Sequence, residues 1–195
     1  MVTTHHLLRR DTADPHDAVV TLGPEGTDAH HEARRHFAKV LLTDTFELAV
    51  REALSRDCHA LVAAGFVERH RPGGEVSDLW VDIHFRHLGQ VELAAVWEAP
   101  TKPMCLAAPP GIHTPRTVAL HPATGAFAER YAPAAGRRYV DAKPLAVRQV
   151  LDGTAEGCIG SVDVVQHAGL AVLQEFQPTM VWCLYRAVNR HIPGR

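Results

Sequence analysis

The sequence predicts an α/β protein whose strands are mostly parallel. Short apolar runs of strand length alternate with segments in which apolar residues recur at helical spacing. A turn with two glycines, Gly23-Pro24-Glu25-Gly26, joins the first apolar run to the first helical segment, and the same rhythm restarts near residue 99. Because strands that alternate with helices are joined by crossover connections, this pattern favours mostly parallel sheets.

The first half of the chain contains two strands and two helices before a polar loop. Thr27 or Asp28 is a good N-cap for the first helix, and Phe46, Ala49 and Val50 have helical spacing in the second. The predicted elements are strand Ala18–Leu22, helix Asp28–Val40, helix Thr45–Ser55, strand Ala60–Ala64, a Gly-rich loop from Arg69 to Asp78, and the apolar run Val91–Trp97.

The second half repeats the alternation after Pro100 and Pro103 interrupt the apolar pattern. Its predicted strands are Met104–Ala108, Thr117–Leu120, Arg138–Val140, Gly157–Gly160, Ala171–Phe176 and Val181–Val188, and its predicted helices are Gly125–Tyr131, Pro144–Leu151 and Val162–His167. Two lobes would fit this pattern, although periodicity alone does not establish them: a first lobe 18–98 that the return segment 181–190 completes, and a second lobe 99–180, after a disordered or loosely attached segment 1–17.

Composition narrows the class of protein. With 195 residues, 46% of them hydrophobic, the chain can bury a substantial core, and a net charge of −2 predicts neither a nucleic-acid partner nor a membrane partner. No apolar stretch approaches the roughly 20 residues of a membrane span, and the four scattered cysteines are typical of buried thiols in a reducing compartment. A cytoplasmic location is therefore expected. His84 and His87 have a spacing that two metal ligands could use, but no third ligand lies nearby in the sequence, so no metal is predicted.

The turn before the first helix is the strongest local signal for a ligand. Glu25, Gly26 and Thr27 lie where a strand ends and a helix begins, so backbone N–H groups and the positive end of the helix dipole converge there. An anionic small molecule is the ligand that this arrangement favours. The sequence contains no phosphate loop, dinucleotide fingerprint or nucleophile motif, and we expect chemistry without a cofactor.

Five weak motifs, in order along the chain, resemble the prephenate dehydratase family. They are Thr21-Leu22-Gly23-Pro24-Glu25-Gly26-Thr27, Asp44-Thr45-Phe46-Glu47, Pro103-Met104-Cys105-Leu106, His121-Pro122, and Thr179 with the apolar strand after it. The resemblance implies a two-lobed fold of the periplasmic-binding-protein type II class with a ligand cleft between the lobes. It also implies a homodimer. Only nine residues follow Arg186, so we expect no C-terminal ACT domain.

The chain also departs from that family. Ala123 follows His-Pro where the family has Gln, Ala142-Lys143-Pro144 replaces a Ser-Thr-Ser-type helix cap, and Met180 follows Thr179 in place of Arg. The chain is more similar to a divergent branch, that of the prephenate decarboxylase of bacilysin biosynthesis. That similarity implies a role in antibiotic biosynthesis, as part of secondary metabolism.

The resemblance assigns a role to Thr179, and the positions of His121 and Lys143 indicate roles for these two residues. Thr179, His121 and Lys143 are the candidate catalytic residues, as a hydroxyl-protonating group, a ring-carbon acid or carboxylate donor, and a cation for a carboxylate. The candidate substrate-binding residues are Glu25, Gly26, Thr27, Thr45, Thr124 and Met180. A solvated Lys143 and a His121 that only caps its strand are the structural alternatives.

The predicted function is that of a cofactor-independent lyase that decarboxylates prephenate, or a similar cyclic dicarboxylate, without forming an aromatic ring. The placement of one proton decides between this reaction and dehydration. Two alternatives stay open at this point. One is a dehydratase of prephenate or of another cyclic acid, and the other is a protein that binds a small carboxylate without catalysis.

Overall fold

The computed structural model describes residues 18–69 and 76–188. The predicted segment 1–17, most of the predicted loop after Arg69, and the end of the return segment, 189–190, lie outside the described residues. The helices are α1 (Asp28–His36), α2 (Phe46–Arg56), α3 (Trp80–Arg86), α4 (Gly125–Tyr131), α5 (Lys143–Leu151) and α6 (Val162–His167). The strands are β1 (Ala18–Leu22), β2 (Lys39–Thr43), β3 (His59–Ala63), β4 (Val67–Arg69), β5 (Val76–Leu79), β6 (Val91–Pro100), β7 (Met104–Ala108), β8 (Thr117–Leu120), β9 (Gly136–Tyr139), β10 (Gly157–Ser161), β11 (Ala171–Phe176) and β12 (Thr179–Ala187).

These elements form two compact units. Among the described residues, unit 1 contains 18–66, 79–99 and 180–188, and unit 2 contains 67–69, 76–78 and 100–179. Each unit has one five-stranded sheet, and β4 and β5 form a separate two-stranded sheet.

The sheet of unit 1 has the strand order β2-β1-β3-β12-β6. Strand β1 pairs in parallel with β2 and β3, whereas β12 pairs antiparallel with β3. Val19 and Val20 are fully buried although they point to opposite faces, as expected for a strand covered on both sides. The carboxyl ends of β1, β2 and β3 therefore meet at one edge of this sheet.

The sheet of unit 2 has the order β11-β7-β10-β8-β9, with β8 parallel to β10 and β9, and β7 antiparallel to β10 and β11. Both of its faces are buried, because alternate strand residues enter two separate apolar clusters. Cys105 and Ala107 belong to the cluster with α5 and α6, whereas Met104 and Leu106 belong to the cluster with α4. Read from β9, the pairs β9–β8, β8–β10 and β10–β7 are parallel, parallel and antiparallel, as are β2–β1, β1–β3 and β3–β12 in unit 1.

The structure differs from the sequence prediction in three respects. The first helix ends at His36 rather than Val40, because Phe37 takes an extended conformation (φ −128°, ψ 138°) and the apolar run after it becomes β2. The short helix α3 was not predicted, since it has seven residues and buries only Ile83. Antiparallel pairing by β7 and β12 makes both sheets mixed, where alternation had predicted mostly parallel strands.

Candidate functional site

The loop between β1 and α1 holds three of the predicted binding residues. Gly26 has φ +85°, a conformation that favours glycine, and its N–H donates to Nδ1 of His30 at 3.0 Å. Thr27 is the N-cap of α1: its Oγ1 accepts from the His30 N–H at 3.2 Å and donates to the Leu22 carbonyl at 3.1 Å. Glu25 is exposed. Two of the N–H groups at this helix start thus have acceptors within the chain.

A second threonine-rich loop follows β2 in the same unit. Thr45 is the N-cap of α2, and its Oγ1 accepts from the Leu48 N–H at 3.1 Å. The Thr43 hydroxyl donates to the carbonyl oxygens of Thr45, at 3.0 Å, and Thr21, at 3.3 Å. The Gly23 N–H donates to the Thr43 carbonyl at 2.8 Å, so this loop and the loop after β1 are fixed to each other.

In unit 2, His121 follows the last residue of β8. Its Nδ1 accepts from the Ala123 N–H at 3.2 Å, so the neutral ring carries its proton on Nε2. The Thr124 side chain is buried, and its Oγ1 donates to the His121 carbonyl at 2.7 Å. Thr124 thereby holds the backbone turn that presents His121.

Lys143 begins α5 after β9, in the same unit. Leu120 and Tyr139 are register partners in the parallel pair β8–β9, and the Val140 N–H donates to the Leu120 carbonyl at 3.0 Å. Because adjacent parallel strands end at the same edge, His121 and Lys143 follow the sheet at that edge. The N-cap residue of α5 is Ala142, whose methyl side chain cannot accept a hydrogen bond from the first turn of the helix.

Thr179 and Met180 open strand β12 with different environments. Thr179 is exposed, whereas Met180 is half-buried and packs against the apolar core of unit 1. The Met180 sulfur lies 3.1 Å from the position that a Cβ at Gly65 would occupy. Residue 180 therefore contributes packing to unit 1 and no charge.

Buried thiols do not supply a reactive group. Burial raises the pKa of Cys105 to about 11, of Cys158 to about 12 and of Cys183 to about 11. These side chains therefore stay protonated at neutral pH and act as small apolar groups. Within residues 18–69 and 76–188, no group of three or more His, Cys, Asp or Glu side chains is arranged to hold a metal ion.

Sequence reasoning missed a buried carboxylate in unit 1. Glu32 is 4% exposed and accepts from Trp97 Nε1 at 2.6 Å, and its other close contacts are His36 Nε2 at 2.8 Å and Arg35 at 3.2 Å. This network joins α1 to β6. The sequence signal for this burial was the helical spacing that places Glu32 on the same face of α1 as the buried residues Ala29 and Ala33.

Two units that each carry a five-stranded sheet with packed helices confirm the predicted α/β fold class. No family model matches the chain, and no curated protein matches it. The part of the chain that the structure describes has no helix long and apolar enough to cross a membrane.

The solved structures to which the chain is similar include two prephenate dehydratases. That from Arthrobacter aurescens, in complex with L-Phe, has a TM-score of 0.55 and 18% identity over 87% of this chain and 59% of that one. That from Staphylococcus aureus has a TM-score of 0.53 and 13% identity over 87% of this chain and 66% of that one. The chain thus spans about three fifths to two thirds of their lengths. A periplasmic VFT2 domain of BvgS from Bordetella pertussis has a TM-score of 0.49 and 14% identity over 89% of this chain and 81% of that one.

Proposed function

We propose that this protein is a cofactor-independent lyase that acts on prephenate or a closely similar cyclic dicarboxylate, and that it decarboxylates this substrate without aromatising the ring. One observation carries the proposal: His121 and Lys143 follow two adjacent parallel strands and stand at the same sheet edge. A cation and an imidazole at one edge suit a substrate with two carboxylates and a ring carbon that must receive a proton.

The reaction depends on where the electrons of the breaking carbon–carbon bond go. When the ring carboxylate leaves as CO2, the electron pair enters the diene. A proton delivered to a ring carbon captures that pair, and the ring keeps its hydroxyl group. A proton delivered to the hydroxyl lets water leave, and the ring becomes aromatic. Proton placement by the protein therefore selects the product.

The environment of Thr179 supports the first outcome. A threonine hydroxyl is a weak acid, and a neighbouring cation would help it to protonate the departing hydroxyl. Residue 180 is Met and packs into the core of unit 1, so it supplies no charge beside Thr179. As an imidazolium, His121 is a much stronger acid than a threonine hydroxyl, so its Nε2 is the candidate donor to a ring carbon.

Dehydration of prephenate is the second candidate, and the retained Thr179 favours it. The similar prephenate dehydratase structures support this reaction class only through the fold that they share with the chain. In this alternative Thr179 protonates the hydroxyl group without help from residue 180.

The deciding experiment incubates the purified protein with prephenate near neutral pH and identifies the product by mass and proton NMR. Because prephenate aromatises spontaneously in acid, a reaction without enzyme is the control. Loss of CO2 with the hydroxyl retained and no aromatic signals supports decarboxylation. Phenylpyruvate supports dehydration, and in that case Thr179→Val should abolish its formation. Unchanged prephenate refutes both reactions on this substrate.

The proposal includes the remaining expectations from the sequence. Glu25, Gly26, Thr27, Thr45, Thr124 and Met180 would contact the substrate or shape its site. The protein would use two lobes, 18–98 with 181–190 and 99–180, and would act in the cytoplasm as a homodimer. Size-exclusion chromatography with light scattering tests the homodimer directly.

A further inference from the structure

The start of α1 is closed by two reciprocal hydrogen bonds that use one histidine. Thr27 Oγ1 accepts from the backbone N–H of His30 at 3.2 Å, and the His30 ring accepts from the backbone N–H of Gly26 at 3.0 Å. This arrangement resembles a capping box, in which a Glu or Gln three residues after the N-cap accepts from the backbone near the cap. Here an imidazole takes the place of that acceptor.

An imidazole can accept a hydrogen bond only while it is neutral. Nδ1 of His30 is the accepting atom, so the proton of the neutral ring lies on Nε2. Uptake of a second proton makes both ring nitrogens donors and removes the acceptor for Gly26. It also places a positive charge beside the start of a helix, where the dipole disfavours cations. Both effects open the same contact.

The charged groups around this contact come mainly from its own loop and helix. Glu25, Asp28, His31, Glu32 and Arg34 are the nearest titratable residues along the chain, and the His30 and His31 rings are 6.1 Å apart.

The other elements packed against α1 contribute few charges at this end. Strands β1, β2 and β3 pack against α1, and their final residues, near the start of the helix, are apolar or threonine. Their titratable residues Lys39 and His59 lie at the opposite strand ends, and Asp44 follows β2 as an exposed side chain. Strand β6, which carries Glu92 and Glu98, contacts α1 through Trp97, at Glu32 and His36 beyond the first turn of the helix.

We propose that His30 is a pH-sensitive latch on the loop Gly23–Thr27. The latch is closed while the imidazole is neutral, because the Gly26 N–H then has an acceptor inside the chain. Protonation of His30 opens the latch: the Gly26 N–H loses its acceptor, and the imidazole ring gains a positive charge. If the loop binds a substrate carboxylate, which rests on the proposed function, an anion and the neutral His30 ring compete for the same Gly26 N–H.

The test of the latch uses the protein without ligand. Amide NMR follows Gly26 and the histidine rings between pH 8 and pH 5, in the wild type and in His30→Gln. The side-chain oxygen of glutamine accepts at every pH and preserves the cap, so this variant should fold. His31→Gln is the matched control, because His31 is the exposed neighbour on the same helix and the Gly26 N–H donates to His30 instead.

We expect the Gly26 amide signal of the wild type to titrate together with the His30 ring. Its protection against hydrogen exchange, relative to the intrinsic rate at each pH, should fall about fivefold as the ring protonates, the loss expected for one hydrogen bond. His31→Gln should behave as the wild type, and His30→Gln should show neither change. A Gly26 signal that does not titrate, or that titrates equally in His30→Gln, overturns the latch.

A second measurement separates the latch from the proposed function. If prephenate is turned over, the ratio of wild-type to His30→Gln kcat/KM should rise up to about fivefold between pH 8 and pH 5.5. A constant ratio overturns the competition between latch and substrate while leaving the proposed lyase intact. If prephenate is not turned over, the proposed function fails, and the NMR titration still decides whether the latch exists.

Discussion

The two units share one pattern of strand pairing but begin their helices differently. In unit 1, Thr27 and Thr45 cap α1 and α2 with their side chains. In unit 2, within the part that the structure describes, α4, α5 and α6 begin after Thr124, Ala142 and Ser161 without a side-chain cap, as does α3 of unit 1 after Leu79. The order of the strands therefore does not determine which groups accept hydrogen bonds from the first backbone N–H groups of the helices.

This difference separates structural polar groups from groups that suit a ligand. The first N–H groups of any helix need acceptors from caps, solvent or ligands. Unit 1 satisfies one such group in α1 through Thr27 and one in α2 through Thr45. Unit 2 instead presents Lys143 at the start of α5 and a turn-fixed His121. We therefore expect binding of the charged groups of the substrate to depend more strongly on unit 2 than on unit 1.

The largest expected effect compares the two cores. Leu61 in β3 and Ile159 in β10 are fully buried at corresponding places in the sheets. Truncation of either to Ala should cost about 2–5 kcal/mol of folding free energy because it leaves a cavity. Hydrogen exchange should show the loss of protection mainly in the unit that carries the change. Equal losses in both units after either change would mean that the units unfold as one.

The next effect tests the charge at the unit 2 edge. Lys143→Met should raise KM or lower kcat for prephenate about tenfold or more if the ammonium group pairs with a carboxylate. Lys39→Met is the matched control, since Lys39 is an exposed lysine at the amino end of β2, the strand of unit 1 that corresponds to β9. Unaltered steady-state kinetics in Lys143→Met would identify Lys143 as a solvated residue.

A smaller effect tests the caps themselves. Thr27→Ala should lower the free energy of unfolding by about 1 kcal/mol, because the hydroxyl caps α1. Ser161→Ala should change it by less than about 0.5 kcal/mol, since the Ser161 side chain makes no cap hydrogen bond to α6 in the described structure. Urea denaturation measures both, and Thr27→Ser should retain most of the stability. Similar losses in the two alanine variants would remove the contrast between the units.

The smallest effect concerns a charge network confined to unit 1. Burial raises the pKa of Glu47, but hydrogen bonds from Arg51 and Arg86 and the nearby His87 outweigh it, so the net pKa lies below its usual 4.5. The depressed folded-state pKa contributes stability above pH 4.5, which is lost as pH falls through the folded-state value. Glu47→Gln should cost about 0.5 kcal/mol at pH 7 and flatten the acid side of the stability profile. Denaturant titrations from pH 3 to pH 7 measure this, and Glu52→Gln is a control at an exposed i,i+4 pair.

Much of the local structure could be predicted from the sequence. The bounds of β8, α4, α6 and β11 agree with the prediction, because each has a clear apolar period and a polar or glycine-containing boundary. The predicted end of α1, Val40, is wrong because the last turn of the predicted helix includes the first residues of the apolar strand β2.

The candidate site was predictable only as a set of loops. Gly26 and Thr27 stand in the turn that the sequence indicated, and His121 follows its strand as expected. The contact from His30 back to Gly26 was not predicted, since a histidine is not the usual acceptor of a capping box. The contact from Glu32 to Trp97 joins residues far apart in the sequence, which no periodicity indicates.

The sequence by itself determined the α/β class, most element positions and the residues that begin the helices, because these depend on neighbours within a few positions along the chain. Only the tertiary structure decided the order of the strands, the antiparallel insertion of β12 beside β3, and the burial of Glu32. It also decided which threonine hydroxyls form hydrogen bonds with backbone N–H and carbonyl groups. Those outcomes depend on hydrogen bonds and packing between distant segments, whose partners are chosen when the whole core is buried.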